Sequence, residues 1–444
     1  MLARAFSAGA LGLTGFTVTI EALAEPGAPM LSILGHDSGP LADSGRRVSA
    51  ALERLALPAS RQLVLVGPAE QRKDESGLDL AIACAVLASH GVVPARALEG
   101  LMLWGGLDAE GRVLEQAGTS SAADTARRFG FRALALAPAA AHVGALVPDL
   151  GLLPVPDLDR LIAYLRGEAE LERGPIDVEL AATIGDRPTI AELDTNSLES
   201  LALEVMLAGG HHLLVHSPLG VRELEPTLAG LLEDLDPADA LELAKIHDLK
   251  RQHARARIRR ASAGVSALEL LGGGMPPRPG EVSLAHHGVL IIEDLAALTP
   301  GCVSALRPVL VDREVWLGEV RLPARMRLLA VCPRGWSRDA GVLDHCDLVI
   351  QQVPAGVRRG AAARIARARQ RQRERLAGTL WRSNAEIPRT GEAIVWKCPA
   401  VRGCSPSPRE RRVARTIADL DFERDPSEPL DEVTLTTARW LTHG

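Results

Sequence analysis

The chain has 444 residues, of which 47% are hydrophobic and 24% charged, and a net charge of −6. That length implies two or three domains with room for a large core, and the composition is that of an ordinary soluble globular protein. The negative balance excludes overall attraction to nucleic acid, so such a contact needs a local basic patch, and no run of about 18 apolar residues marks a membrane span.

In chain order, "MLARAFSAGALGLTGF" has the outline of a secretory signal. Gly and Thr interrupt its apolar run, however, and "FTVTIEALAE" alternates directly after it, so a folded strand pair is expected. "MLSILG" and "RQLVLVGP" read as strands, and "DSGRRVSAALERLAL" has helical spacing behind an Asp. "LDLAIACAVLASHG" reads as a buried helix closed by Gly91. "ALEGLMLWGGLDAEGRVL" has the form of a hairpin turning at Glu110-Gly111. "SAADTARRFG" is a predicted helix, "RALALAP" a strand and "DLDRLIAYLRGEAEL" an amphipathic helix. These elements make an α/β unit over 1–168, followed by a linker over 169–192.

A second α/β unit is expected over 193–355. Its strands are "HHLLVH", "GVLIIED" and "MRLLAVCP", and their alternation with helices favours a mainly parallel sheet. From 356 to 444 the chain is helical and begins Arg-rich. Of its basic residues only Lys73, Lys245, Lys250 and Lys397 are lysines. The six cysteines are scattered and fit a reducing cytoplasm. Cys398 and Cys404 are spaced too widely for the usual zinc knuckle.

The stretch "GGGMPPRPGEVSLAHHGVLIIEDL", Gly272 to Leu295, resembles the magnesium-chelatase-related AAA+ family of the ComM/YifB type. The similarity continues in "SILGHDSGPLADSGRRVSAALE", "GPAEQRKDESGLDLAIACAVLASHG", "GGLDAEGRV", "EVMLAGGHHLLV", "AKIHDL" and "VARTIADLD". The resemblance implies an N-terminal α/β domain of the Lon-protease-like, ribosomal-S5-like fold, an AAA+ P-loop module with a parallel sheet, and a C-terminal helical lid. It implies hexameric, ATP- and Mg²⁺-dependent action on DNA, one role being branch migration in natural transformation.

The ATP machinery departs from that pattern residue by residue. A P-loop needs glycines around the phosphates, a Lys for the β/γ-phosphates and a Ser/Thr hydroxyl for Mg²⁺. Here the family's G-P-P-G-x-G-K-[ST] falls on Ser217, Pro218, Leu219, Gly220, Val221, Arg222, Glu223 and Leu224. No Lys lies between Lys73 and Lys245, so no change of register supplies one. Glu223 reverses the charge, and a carboxylate about 4 Å from a phosphate costs roughly 4 kcal/mol per charge pair at an effective dielectric of 20. Pro226 implies that the following helix starts late.

The Walker B strand ends in Glu293-Asp294, where the family has Asp then Glu. Glu293 takes the Mg²⁺ position and Asp294 the water-orienting one; the alternative is an acidic pair capping the next segment. Cys332, before Pro333, replaces the family's polar sensor Asn. His345 replaces the arginine finger, Ser405 falls near the lid arginine, and Thr195-Asn196 stands at the family's Gly-Gln. Lys73 and Ser76 lack the context of a Ser-Lys protease. His211-His212 resembles the family pair, with packing or capping preferred over metal.

In the Arg-rich segment 358–375, Arg364, Arg367, Arg371 and Arg375 share one helix face. That face offers DNA phosphates a contact, or is solvated or paired with acidic neighbours. Two functions follow: a pseudo-ATPase scaffold or ring partner in DNA processing, or an active motor with an altered site.

Overall fold

The computed structural model describes residues 2–28, 30–35, 39–68, 76–171, 192–193, 197–217, 221, 223–250, 257–275, 277–332, 342–387, 406–425 and 428–443. The chain divides into two compact units, Met1–Ile184 with Leu235–Arg255, and Gly185–Asp234 with Ala256–Gly444.

The first unit is built on a seven-stranded mixed sheet. The N-terminal strand pair is present: β1 (Leu2–Leu11) runs antiparallel to β2 (Thr14–Glu25). With β3 (Met30–Leu34), β4 (Arg61–Gly67), β5 (Leu101–Leu103), β8 (Ala133–Leu136) and β9 (Gly151–Pro154), the order is β3-β4-β2-β1-β5-β8-β9. The expected single hairpin at 97–114 is divided. Leu101, Met102 and Leu103 are all buried and enter the main sheet in parallel pairing, whereas β6 (Gly106–Leu107) and β7 (Val113–Leu114) alone form the hairpin. A strand whose residues are all apolar is stable only with both faces covered, so it joins the sheet interior.

The helix Asp79–Ser89 is buried at every position, as its unbroken apolar run requires. Its one carboxylate, Asp79, is fully buried and is held by Arg47 through bonds of 2.6 and 3.0 Å. Trp104 packs against the turn entering the helix Thr119–Arg128. Gly118 there has φ +93, and an added Cβ would lie 2.8 Å from the Trp104 ring. Gly118→Ala is therefore expected to destabilise this unit by about 2–4 kcal/mol, combining left-handed strain with overpacking. Urea denaturation followed by Trp fluorescence measures it.

The helix Pro237–Leu249 belongs to this first unit. Lys245 reaches Asp124 at 2.6 Å, Asp248 accepts from the Ser120 N–H at 3.1 Å, and Ala240 and Ala244 pack on Leu146. The "AKIHDL" motif thus carries a docking helix.

In the second unit, β10 (Glu192–Leu193) pairs with β20 (Val357–Arg358). Two small hairpins form from β13 (Gly272–Gly273) with β14 (Arg278–Pro279), and from β16 (Glu314–Leu317) with β17 (Val320–Pro323). The central sheet consists of β11 (Leu213–His216), β12 (Ile258–Ala261), β15 (Val289–Ile292), β18 (Arg327–Cys332) and β19 (Leu348–Ile350). All its pairings are parallel, in the order β12-β15-β18-β11-β19. β15 and β18 are wholly buried, as strands covered on both faces must be. One face packs on the helices Leu198–Gly209, Leu224–Leu231, Ala361–Leu376, Pro408–Leu420 and Glu432–His443. This is an α/β module of AAA+ P-loop type with a helical C-terminal region.

Candidate functional site

In an open parallel sheet, ligands bind outside the carboxyl ends of the strands where the strand order reverses. Here that place lies between β11 and its neighbour β18. Pairing puts His216 beside Cys332 and Ile292 beside Ala330, so Glu293 and Asp294 leave the sheet level with the end of β11. The sheet therefore brings Ser217, directly after β11, the acidic pair and the sensor position to one edge.

Of the loop itself, Pro218, Leu219, Gly220 and Arg222 lie outside the described residues. Ser217 and Val221 are buried, and Glu223 is exposed at the N-terminal cap of the helix Leu224–Leu231 without capping it through its side chain. The helix begins at Leu224, which leaves Pro226 in the first turn, where a missing N–H does no harm. Leu224 is 3% exposed and belongs to the hydrophobic core. The position that would offer Mg²⁺ a hydroxyl is therefore a packed methyl-bearing side chain.

Glu293 already has a cation. Arg260 on β12 donates from Nη1 to its carboxylate at 3.0 Å, and from Nε to Glu225 of the helix Leu224–Leu231 at 2.8 Å. A guanidinium fixed between two carboxylates stands on the group that would have to bind Mg²⁺. Asp294 accepts from the Ala296 N–H at 2.9 Å and caps the turn Leu295–Ala297. Cys332 is buried, and burial together with the Asp294 charge pushes its thiol up to about 11. It stays protonated at neutral pH and is a weak donor. His345 is half-buried in the turn Leu343–His345. Ser405, Thr195, Asn196, Lys73, Cys398 and Cys404 lie outside the described residues. Among the described residues, Glu293 is paired with Arg260, Leu224 carries no hydroxyl and Glu223 is acidic.

Neither Glu225 nor Arg260 is legible as a site residue in the sequence. "IRRA" has no apolar alternation, so β12 escapes a pattern reading. The Arg259-Arg260 pair within β12 is the signal available.

The two histidines before the loop are built into the core. His211 Nδ1 lies 2.8 Å from Asp347 and its Nε2 lies 2.9 Å from the Thr416 hydroxyl. His212 Nδ1 accepts from the Leu328 N–H at 3.0 Å. Burial, reinforced by the Arg313 charge, lowers His212 to about 3. Burial alone would raise the Asp347 carboxyl, but the His211 hydrogen bond and charge, with Arg412, hold it well below the ordinary range.

The arginine face of the helix Ala361–Leu376 is engaged within the unit. Arg364 forms a fork on Glu204 at 2.9 Å through each of two nitrogens, and Arg375 binds Asp419 at 2.6 and 3.0 Å. Arg371 donates to the Asp419, Asp421 and Arg424 carbonyls. Arg367 is exposed but lies over the Phe422 ring, 5.0 Å from its centroid. A side chain holding these partners is not poised for DNA phosphates. No helix among the described residues is long and apolar enough to cross a membrane.

The family described as magnesium chelatase, subunit ChlI, matches residues 190–352, and a second description, subunit ChlI of Mg-chelatase, matches 20–140. An uncharacterized protein of Mycobacterium tuberculosis is 30% identical over 97% of both chains. The uncharacterized protein YifB of Salmonella typhimurium is 31% identical over 74% of this chain and 67% of its own. The competence protein ComM of Haemophilus influenzae is 28% identical over 74% of this chain and 68% of its own. With these similarities running through both units, the chain belongs to the magnesium chelatase-like ComM/YifB family.

Proposed function

We propose that this chain is a pseudo-ATPase of its family, acting as a scaffold or ring partner in DNA processing rather than as a motor. The observation that carries the proposal is Arg260, which bridges Glu225 and Glu293 where a Walker B carboxylate would hold Mg²⁺. An ion pair of this kind competes directly with a metal for the same lone pairs. The buried Leu224 supports the reading, since a hydrophobic-core side chain stands at the position that would offer Mg²⁺ a hydroxyl. The link to DNA and to a ring is what the family resemblance implies, and the partners held by Arg364, Arg367, Arg371 and Arg375 argue against that helix face as the contact.

Calorimetric titration of the full chain with ATP–Mg²⁺ tests this. No binding is expected at micromolar nucleotide. Arg222→Gly, Glu223→Lys and Leu224→Thr together are expected to restore only weak binding, and adding Arg260→Ser to improve it by about tenfold or more as Glu293 is released. Micromolar binding with hydrolysis by the unaltered chain would establish the motor reading instead.

A further inference from the structure

In the second unit the C-terminal helices meet the sheet through a buried polar seam away from the nucleotide-like edge. Asp347 directly precedes β19 and His211 stands two residues before β11, so both lie at the amino-terminal edge of the sheet, opposite Ser217 and Glu293. The fully buried His211 ring spans from the Asp347 carboxylate at 2.8 Å to the Thr416 hydroxyl of the helix Pro408–Leu420 at 2.9 Å. From the same helix, Arg412 donates to the other Asp347 oxygen at 3.3 Å and Arg409 to the Asp347 carbonyl at 2.9 Å. Behind Thr416, Asn384 donates to the same hydroxyl and to Asp419, at 3.0 Å each, and Arg375 holds the Asp419 carboxylate at 2.6 Å.

The backbone is shaped to this seam. A Cβ on Gly209 would lie 2.5 Å from the Thr416 hydroxyl, and one on Gly210, at φ +73, would lie 2.6 Å from the Ser383 hydroxyl. Glycine at both positions is what lets the helical region sit so close. The stretches "AGGHH" and "VARTIADLD" thus meet in the fold. Apolar packing crosses the same seam, with Leu213 and Leu348 in one buried cluster with Val413, Ala414 and Ala438. At the start of the helical region, Glu204 takes the forks of Arg358 and Arg364. To swing away from the sheet, the helices would have to strip Thr416 from His211, two arginines from Asp347 and two from Glu204. Each buried polar group so stripped makes the opened state rarer by about tenfold.

We propose that this seam is a lock, which fixes the C-terminal helical region on the sheet as one cooperative body with no separately opening lid. His211 and Thr416 are its positioning residues. The lock holds independently of the nucleotide-like edge, so a pseudo-ATPase and a motor with an altered site would share it.

Native-state hydrogen exchange of the full chain, in low urea and without nucleotide, tests the lock. Leu290 and Ile292 alternate away from Val289 and Ile291, which pack in the cluster shared with the C-terminal helices. Ile292→Val is expected to speed exchange of β15 and β18 by about threefold to tenfold. The helices Ala361–Leu376, Pro408–Leu420 and Glu432–His443 are expected to speed up by the same factor, since they open only with the sheet. Leu290→Ala enlarges the effect if Ile292→Val proves too mild. Thr416→Val keeps the shape, removes the hydroxyl and is expected to speed all of these segments about tenfold. With His211→Gln added, the acceleration should fall short of the product of the separate effects, because both substitutions break one contact. The lock is overturned if Ile292→Val or Leu290→Ala speeds the sheet and leaves the helices unchanged, which is a lid that opens alone. It is equally overturned if Thr416→Val leaves exchange unchanged, or if the effects of His211→Gln and Thr416→Val simply multiply.

Discussion

Glu204→Ala is expected to destabilise the second unit by about 3–5 kcal/mol, as removal of one partner from a buried ion pair does. The Glu204 side chain is fully buried in the helix Leu198–Gly209, and its two oxygens accept four bonds of 2.7–2.9 Å from Arg358 and Arg364. This clamp ties the start of the C-terminal helical region to the helix Leu198–Gly209, so its loss leaves two guanidiniums without this counter-charge. Glu204→Gln keeps the shape and should cost less. Equilibrium denaturation in urea, followed by far-ultraviolet circular dichroism, measures both. A loss below about 1 kcal/mol for Glu204→Ala would show that the arginines find other acceptors. Burial alone would raise the Glu204 carboxyl, but the hydrogen bonds from Arg364 and Arg358 hold it below its usual value. Its contribution is therefore in place at neutral pH and declines as pH falls through the carboxylate range.

Acidification is expected to weaken the second unit well before the carboxylates titrate, because His212 must stay neutral in the fold. Its folded value of about 3 lies below the ordinary 6.5, so the unfolded chain binds the extra proton between these limits. Stability is fully in place above pH 6.5 and falls by about 1.4 kcal/mol per pH unit below it, reaching a loss of roughly 4 kcal/mol near pH 3. The groups facing the ring are Arg313, His211 and His345, which disfavour its protonation, and Asp347, which favours it. His212→Asn preserves an acceptor for the Leu328 N–H and removes the titration. The slope of stability against pH between 6 and 4 should then drop by about one proton. An unchanged slope would assign the acid sensitivity elsewhere.

Much of this fold is legible in the sequence where one physical signal dominates. Buried parallel strands read as apolar runs, which is why β11, β15 and β18 are recognisable. β12 is not, because an edge strand carrying Arg259 and Arg260 has no apolar run and gains its place through ion pairs with Glu281 and Glu225. The arginine periodicity at 364, 367, 371 and 375 predicts a shared helix face but not what covers it. That depends on Glu204 and Asp419, more than forty residues away in the chain. A lone Glu in the apolar "LALEVMLAGG" and an Asp in "VARTIADLD" are the signals available, since a buried carboxylate requires a cation. The edge that gathers Ser217, Glu293, Asp294 and Cys332 follows from strand order. The Arg260 bridge across it is a tertiary fact.

The helix Pro237–Leu249 has a consequence for how the molecule is made. The first unit includes Leu235–Arg255, although its N-terminal portion ends at Ile184. During synthesis, Ser120 and Asp124 must wait for Asp248 and Lys245 to leave the ribosome. At ~5–20 residues per second that interval is on the order of ten seconds. A nascent chain that has already finished its first sheet therefore still presents Leu146 without the helix that covers it. Any shortened version ending before Pro237 lacks that helix and holds Leu146 in that state permanently, making it a target for chaperones and proteases.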